Sequence, residues 1–185
     1  MTIFESLISQ IKKNNYWEFW IYFPKKSIKH LKISQEEKKF LVEQGLPKFV
    51  APHLYFGNFD HFFLPKLKDW TWNEKKIIYM SDAIDLEVIG IAPNDDPICI
   101  NKNGNVIIVM EDSTFQYMNS SLLIMLQTLI YYSEYMDIAL EKEGNPILLK
   151  SFVKKMQEKI NSIDPKALES SSFWSNEIND IIKNL

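Results

Sequence analysis

The period of the hydrophobic pattern changes twice along this chain, and this change constrains the fold more than any other feature. Near the start and after Asn119, apolar residues recur every three or four positions, which is typical of helices with one buried face. Between them lie short β-branched or aromatic runs divided by Gly, Pro, Asn and Asp, which is typical of strands joined by turns. Helices on both sides of such a meander predict an α+β fold: a mainly antiparallel central sheet flanked by helices, in a single domain.

The first part of the chain carries two helix signals on either side of an ambiguous run. A capping-box spacing at Thr2 predicts an N-terminal helix. Tyr16 to Phe23 is aromatic and too short to decide between a buried strand and a helix, so both stay open. A second capping box at Ser34 predicts a helix from about Gln35 to Gln44, and Gly45 ends it.

The last part of the chain predicts three helices. Asn119 to Ser121 can cap a long core helix, and Pro146 can begin the next one at its first turn. A final amphipathic helix runs from about Ser172, with Ile178, Ile181 and Ile182 facing inward. The residues predicted to be buried against the sheet are Leu122, Met125, Leu126, Leu129 and Trp174.

Five apolar runs in the middle of the chain predict strands. They are Leu54 to Phe56, Lys76 to Met80, Leu86 to Ile91, Pro97 to Ile100 and Asn105 to Met110. Asn103 and Gly104 lie between the last two runs, and this dipeptide favours the positive backbone angles of a tight turn. The sequence therefore predicts a hairpin at this point.

Length and charge narrow the class of protein. A chain of 185 residues fits one domain over 1-185, and its formal net charge is -3. All 21 basic residues are lysine. The sequence therefore lacks arginine, the residue whose planar side chain most often reads guanine edges. No nucleic acid partner is expected. With a lone Cys99, no apolar stretch of bilayer length and no signal peptide, we expect a cytoplasmic protein with no membrane partner.

No catalytic, metal or cofactor site is recognisable. His30, His53 and His61 follow no ligand spacing, and Cys99 has no partner thiol. The five glycines include neither a nucleophile elbow nor a phosphate-binding loop. Asp95 beside its acidic neighbour is interpreted as part of a solvated turn rather than as a catalytic pair. We therefore expect a protein that is not an enzyme and has no cofactor.

Acidic residues gather in the middle of the chain, where no basic residue occurs between Lys76 and Lys102. Such residues at turns and strand ends suit a partner-binding surface, because binding residues concentrate on loops held by a rigid scaffold. The alternative is a solvated face that only keeps the protein soluble. The candidate partner-binding residues are Asp82, Asp85, Glu87, Asp95, Asp96, Glu111 and Asp112.

A series of short motifs resembles one known family. The motifs are Gly45-Leu46-Pro47, Ile89-Gly90, Asp96-Pro97-Ile98-Cys99-Ile100, Asn103-Gly104-Asn105-Val106, Asn119-Ser120-Ser121 and Phe173-Trp174. In their order and spacing they resemble the SUKH superfamily of bacterial immunity proteins, and specifically its fourth group. The resemblance covers roughly Ser34 to Leu185, and residues 1-33 are expected to be a variable N-terminal part.

The resemblance implies an α+β fold and a role as an immunity protein, or antitoxin, of a bacterial polymorphic toxin system. Such a protein binds a cognate protein toxin and blocks it. No catalytic residues come with the family. The matched positions are interpreted as structural: Gly45 as a helix C-cap, Asn103-Gly104 as a turn, Asn119 as an N-cap and Trp174 as a core ring.

Two other function classes stay open. One is a non-catalytic regulatory or scaffold module that binds a protein other than a toxin; a neighbouring gene for a large secreted toxin would argue against it. The other is a small-molecule enzyme that uses the polar turn around Asp95, which would require a deep pocket with converging polar groups.

Overall fold

The described residues form a six-stranded antiparallel sheet with helices packed against it, so the predicted α+β fold is confirmed. This computed structural model describes residues 19–57, 64–69, 71–72, 75–76, 85–141 and 145–185. The helix predicted at Thr2 lies outside these residues, as do Asp82, His61 and most of the strand predicted over Lys76 to Met80. None of the described helices combines the length and the apolar character that crossing a bilayer requires.

The elements follow the predicted order of helix, strands and helices. The strands are β1 (Trp20–Ile21), β2 (Leu46–Pro47), β3 (Phe49–Val50), β4 (Leu54–Phe56), β5 (Thr71–Trp72), β6 (Lys75–Lys76), β7 (Glu87–Ile91), β8 (Pro97–Ile100), β9 (Val106–Val109) and β10 (Phe115–Asn119). The helices are α1 (Gln35–Glu43), α2 (Leu122–Glu141), α3 (Pro146–Ile163) and α4 (Phe173–Lys183). The ambiguous aromatic run contains the short strand β1, and β10 was not predicted.

The order of strands in the main sheet is β10-β9-β8-β7-β4-β3, and β1 pairs separately with β2. Ile91 lies opposite both Tyr55 and Pro97, and Val109 lies opposite Phe115. The turns after β3, β7 and β9 therefore project from the same end of the sheet. We call residues 51–53, 93–96 and 111–114 the turn end, and the opposite end, which carries the β8–β9 turn at residues 101–105, the hairpin end.

The predicted capping box begins α1 and also holds the start of α2. Ser34 Oγ accepts a hydrogen bond from Glu37 N at 3.1 Å, and Glu37 Oε2 accepts one from Ser34 N at 2.8 Å. The other oxygen of this buried carboxylate, Oε1, accepts from Leu122 N at 3.0 Å. Glu37 thus satisfies a free backbone donor at the start of each helix, which joins two elements far apart in sequence.

Asn119 does not cap α2, and the prediction of an N-cap there is wrong. Asn119 is the last residue of β10, whereas Ser121 directly precedes α2 and its hydroxyl accepts from Ile124 N at 3.2 Å. The fully buried Asn119 side chain instead accepts from Trp174 Nε1 at 2.8 Å and donates to Asp164 Oδ2 at 3.2 Å. The residue crosslinks the sheet, α4 and the segment after α3.

The core is one cluster shared by the sheet and the helices. Residues 19–33 contribute to it through the buried Phe23, Ile28 and Leu31. Ile178 is also buried, but Ile182, predicted to face inward, is 42% exposed because it lies on the solvent side of α4. The five residues predicted to be buried, Leu122, Met125, Leu126, Leu129 and Trp174, all have 0% exposure, as expected.

Candidate protein-binding surface at the turn end

The sheet brings four of the seven candidate acidic residues to one end. Asp95 and Asp96 lie in the turn after β7, and Glu111 and Asp112 lie in the turn after β9. These two turns belong to neighbouring strand pairs, so they are about 10 Å apart at the usual strand spacing. Asp85 lies beyond the other end of β7, and Asp82 is outside the described residues.

The backbone of the β7–β8 turn holds Asp95 out toward solvent. Asn94 and Asp95 have positive φ angles of 66° and 63°, a conformation that asparagine and aspartate tolerate better than most residues. The turn is closed by a hydrogen bond of 2.7 Å from Ala92 N to Asp96 O. Asp95 is exposed, while Asp96 folds back and is only 5% exposed.

Asp96 experiences a concentrated negative potential. Burial raises the pKa of its carboxyl from 3.8 to about 6, and the carboxylates of Glu111, Asp95 and Asp112 contribute to this rise in pKa. Among the described residues, no lysine or histidine forms a salt bridge with any of these four groups. A cation placed here by a partner would relieve an unfavourable charge distribution that the described part of the protein leaves uncompensated.

Asp112 is fixed as an ionised group at the rim of this cluster. Its Oδ1 accepts hydrogen bonds from Thr114 Oγ1 at 2.6 Å and from Thr114 N at 2.9 Å. These bonds favour the charged form and hold the pKa of Asp112 below its usual value. The β9–β10 turn therefore presents a carboxylate in a set orientation.

The remaining acidic candidates are not part of this cluster. Glu87 is buried, and its carboxylate pairs with Lys66 Nζ at 3.0 Å. The same ammonium group donates to Asp85 O at 3.0 Å. The structure therefore places Glu87 in an internal ion pair of the sheet, while the exposed Asp85 flanks the hairpin end.

A cleft of about 650 Å³ lies beside the acidic turns, between the β3–β4 hairpin and α2. The cis Ala51–Pro52 peptide and His53 form the hairpin side of this cleft. Tyr132, Ser133, Met136 and Asp137 form the side from α2. Sequence reasoning missed this cleft, because its two walls are about 80 residues apart in the chain.

Lysines gather at the hairpin end. Gly104 approaches Lys32 closely, since a Cβ on this glycine would lie 2.8 Å from the Lys32 carbonyl oxygen. The segment around Lys32 and the start of α1 therefore lie at this end of the sheet. A second cleft of about 750 Å³ lies along α1 and the segment before it, and is lined by Lys25, Lys26, Lys29, Lys38 and Lys39 together with Glu43. Among the described residues, a group of lysines thus lies along α1 and the segment before it, while a group of carboxylates lies at the turn end.

The other positions of the short sequence motifs described above have structural roles in the fold. Gly45 follows α1 with a φ angle of +78°, and a Cβ there would meet the carbonyl of Ile21, so glycine is required. Leu46 and Pro47 form β2, and Gly90 lies in β7. Asn103 and Gly104 form the predicted turn, in which Asn101 Oδ1 accepts from Asn103 N at 2.9 Å.

The described residues include no group of three or more His, Cys, Asp or Glu side chains that could hold a metal ion. His53 lies at the cleft, and His30 lies in the turn before α1. Cys99 is buried, and burial raises the pKa of its thiol far above the usual range. These groups do not form an assembled nucleophile or metal centre in the part of the chain described.

The comparisons with known proteins identify one family. The model of the SUKH-4 immunity protein family matches residues 18–180, so the match begins upstream of Ser34, where the sequence motifs begin. Curated proteins and solved structures give no significant match. Because the family model covers most of the chain, this protein belongs to the SUKH-4 immunity protein family.

Proposed function

We propose that this protein neutralises a cognate protein toxin by binding it directly, and that the turn end forms the binding surface. Family membership supports the immunity role. The protein acts as a stoichiometric blocker, without catalysis, in the cytoplasm of a bacterium with a polymorphic toxin system. The whole chain, including residues 1–33, works as one immunity domain.

The observation that carries the proposal is the cluster of Asp95, Asp96, Glu111 and Asp112 on two neighbouring turns. Burial raises the pKa of Asp96, and the carboxylates of Glu111, Asp95 and Asp112 raise it further, with no salt-bridging cation among the described residues. Toxin domains that act on nucleic acid need a basic cleft to hold phosphate groups. A negative surface on a rigid sheet would meet such a cleft with complementary charge and would steer rapid association.

Among the seven acidic candidates, the proposal assigns the main contacts to this cluster. Asp85 is not a main contact, because it lies beyond the opposite end of β7, and Asp82 is outside the described residues. Glu87 supports the sheet through Lys66 and does not contact the partner. The cleft next to the β3–β4 turn extends the same surface, because that turn also belongs to the turn end.

The test uses the toxin encoded next to this protein. We expect co-expression to restore growth, and the purified pair to form a complex. In the variant Asp95→Asn/Asp96→Asn/Glu111→Gln/Asp112→Asn, the association rate constant should fall by about tenfold or more at low salt, with a flatter salt dependence. The dissociation rate should change less.

A control variant removes the same number of charges elsewhere. Glu36, Asp69, Glu158 and Glu169 are exposed and lie outside the turn end, so replacing them with amides should leave the salt dependence close to that of the parent. Equal association rates for the cluster variant and the parent would show that the toxin binds another surface. A complex with a different protein and none with the toxin would instead support a regulatory or scaffold module.

A further inference from the structure

The cleft between the β3–β4 hairpin and α2 combines aromatic, aliphatic and acidic walls. Tyr55 and Tyr132 supply rings from opposite sides, and Val50 and Met136 supply aliphatic surface. Asp137 lines the same cleft and is exposed. The cleft has a volume of about 650 Å³, which is more than one side chain needs and is within the range of small binding sites.

The rim of the cleft carries an exposed aromatic pair. Phe49 is 54% exposed on the edge strand β3, and its ring meets Tyr55 edge to face with centroids 4.5 Å apart. Lys48 Nζ lies 5.3 Å from the centroid of Phe49 and 5.9 Å from that of Tyr55. The two rings therefore already attract a cation through their negative faces. Aromatic groups left this open to solvent are enriched at protein interfaces.

Carboxylates dominate the charge on the α2 side of the cleft. Burial raises the pKa of Asp137, and the neighbouring carboxylates of Glu141 and Glu134 raise it further. Glu134 pairs with Lys159 at 2.6 Å, but no salt bridge to Asp137 occurs among the described residues. The negative charge of Asp137 is thus left without a salt-bridging cation from the described part of the chain, next to an aromatic wall.

A second carboxylate interacts electrostatically with two residues that line the cleft, His53 and Tyr132. Burial and Asp180 raise the pKa of Glu177, and His53 lowers it, which shows that Glu177 is within electrostatic reach of the hairpin turn. Glu177 also raises the pKa of Tyr132. Together with Asp137 in the wall of the cleft, Glu177 therefore adds negative charge near the opening, so the local field favours an incoming cation.

We propose that this cleft is an anchor pocket for an arginine side chain of the protein partner. The proposal rests on the proposed function, in which the toxin supplies that side chain. The aliphatic stem of the arginine packs on Val50 and Met136, and the planar guanidinium stacks against a tyrosine ring while it pairs with Asp137. Arginine suits the site better than lysine because its fork pairs with a carboxylate and its plane stacks on aromatic rings.

The position of the cleft makes this anchor part of one continuous surface. Tyr55 lies opposite Ile91, so the β3–β4 turn projects beside the β7–β8 turn that carries Asp95 and Asp96. A basic partner seated on the acidic turns can therefore reach the cleft without crossing the sheet. Buried arginine anchors surrounded by weaker contacts are a common source of binding energy at interfaces.

The first experiment uses a probe rather than the toxin. The peptide acetyl-Gly-Arg-Gly-amide is titrated into the full protein labelled with ¹⁵N, with the citrulline peptide of the same shape as a neutral control. We expect saturable shifts of the amide signals of Ser133, Met136 and Asp137 with the arginine peptide only. Asp137→Asn should weaken binding by about five- to tenfold, because it removes the charge-assisted pair. Glu158→Gln, an exposed control on α3, should leave binding unchanged.

Two outcomes of the peptide titration would overturn the pocket. One is equal binding of the citrulline and arginine peptides, and the other is the absence of saturable shifts at the cleft. A toxin that binds the Asp137→Asn variant as tightly as the parent would also overturn it, while leaving the proposed function intact. Binding of the arginine peptide without any toxin binding would support the pocket and contradict only the proposed function.

Discussion

Replacing Asp96 with asparagine should stabilise this protein at neutral pH. Asp96 is a buried residue with 5% exposure and its carboxyl interacts with three other carboxylates, so its charged form is disfavoured in the folded state. Asparagine has nearly the same shape and carries no charge. The backbone hydrogen bond from Ala92 N to Asp96 O that closes the turn does not depend on the side chain and should persist.

The raised pKa sets the size and the sign of this effect. The pKa is 3.8 when Asp96 is solvated and about 6 in the folded protein, and each unit corresponds to about 1.4 kcal/mol. Between these two values the folded state binds more protons than the unfolded state, so stability falls as pH rises from about 4 to about 6. Above about pH 6 the full penalty of about 3 kcal/mol applies. Screening of the exposed neighbours reduces the expected gain for Asp96→Asn to about 1 to 3 kcal/mol.

Urea unfolding of the parent and of Asp96→Asn measures the difference directly. At about pH 3 both side chains are largely uncharged in the folded and in the unfolded state, and the free energies of unfolding should agree within about 0.5 kcal/mol. At about pH 7.5 the variant should be more stable. Asp95→Asn serves as the control, because Asp95 is exposed and its replacement should give a smaller gain. Equal stability of parent and Asp96→Asn at about pH 7.5 would refute the reasoning.

Three further predictions concern the core and the caps. Leu126→Ala should cost about 2 to 5 kcal/mol in urea unfolding, because Leu126 has 0% exposure, and a loss under about 0.5 kcal/mol would place α2 at the surface. Asn119→Ala should cost about 2 to 4 kcal/mol and alter tryptophan fluorescence, because Trp174 Nε1 loses its acceptor; an unchanged spectrum would contradict that role. Gly45→Ala should cost about 1 to 3 kcal/mol in the same assay, because a Cβ would clash with Ile21 O; parental stability would show that the backbone adapts.

Local chemistry predicted the ends of the helices. Ser34 and Glu37 form the expected capping box, and Asn145 and Pro146 begin α3 as N-cap and first residue. These signals act within one turn of helix, so at these two positions they did not depend on tertiary contacts. The second contact of Glu37, to Leu122 N, joins residues 85 apart and has no counterpart in a local pattern.

Strand β10 was not predicted, and it shows that tertiary contacts determine the secondary structure of a segment whose own strand propensity is weak. The run from Phe115 to Asn119 includes two polar amides and no β-branched residue, so it carries little strand signal. It pairs with β9 on one side, and Gln116 Nε2 donates to Ser171 O at 3.2 Å. The wrong prediction of an N-cap at Asn119 has the same origin, because its side chain accepts a hydrogen bond from Trp174 Nε1 instead of capping the helix that follows.

The site was only partly predictable because it is assembled by strand order. A scan of the chain finds Asp95, Asp96, Glu111 and Asp112, but the sheet register is what brings their two turns together. The register also places Glu87 away from these four residues, where its carboxylate forms a salt bridge with Lys66. The cleft depends on contact between the β3–β4 hairpin and α2, which the sequence pattern does not specify.

Two patches of opposite charge form a local electric dipole within the described residues. One is the lysine-lined cleft along α1 and the other is the carboxylate cluster at the turn end, although the net charge of the chain is only -3. In the field of a basic partner, such a dipole experiences a torque that rotates the turn end forward before any atoms touch. Collisions would then begin in a productive orientation more often than random tumbling allows, and the small net charge alone would give no hint of it.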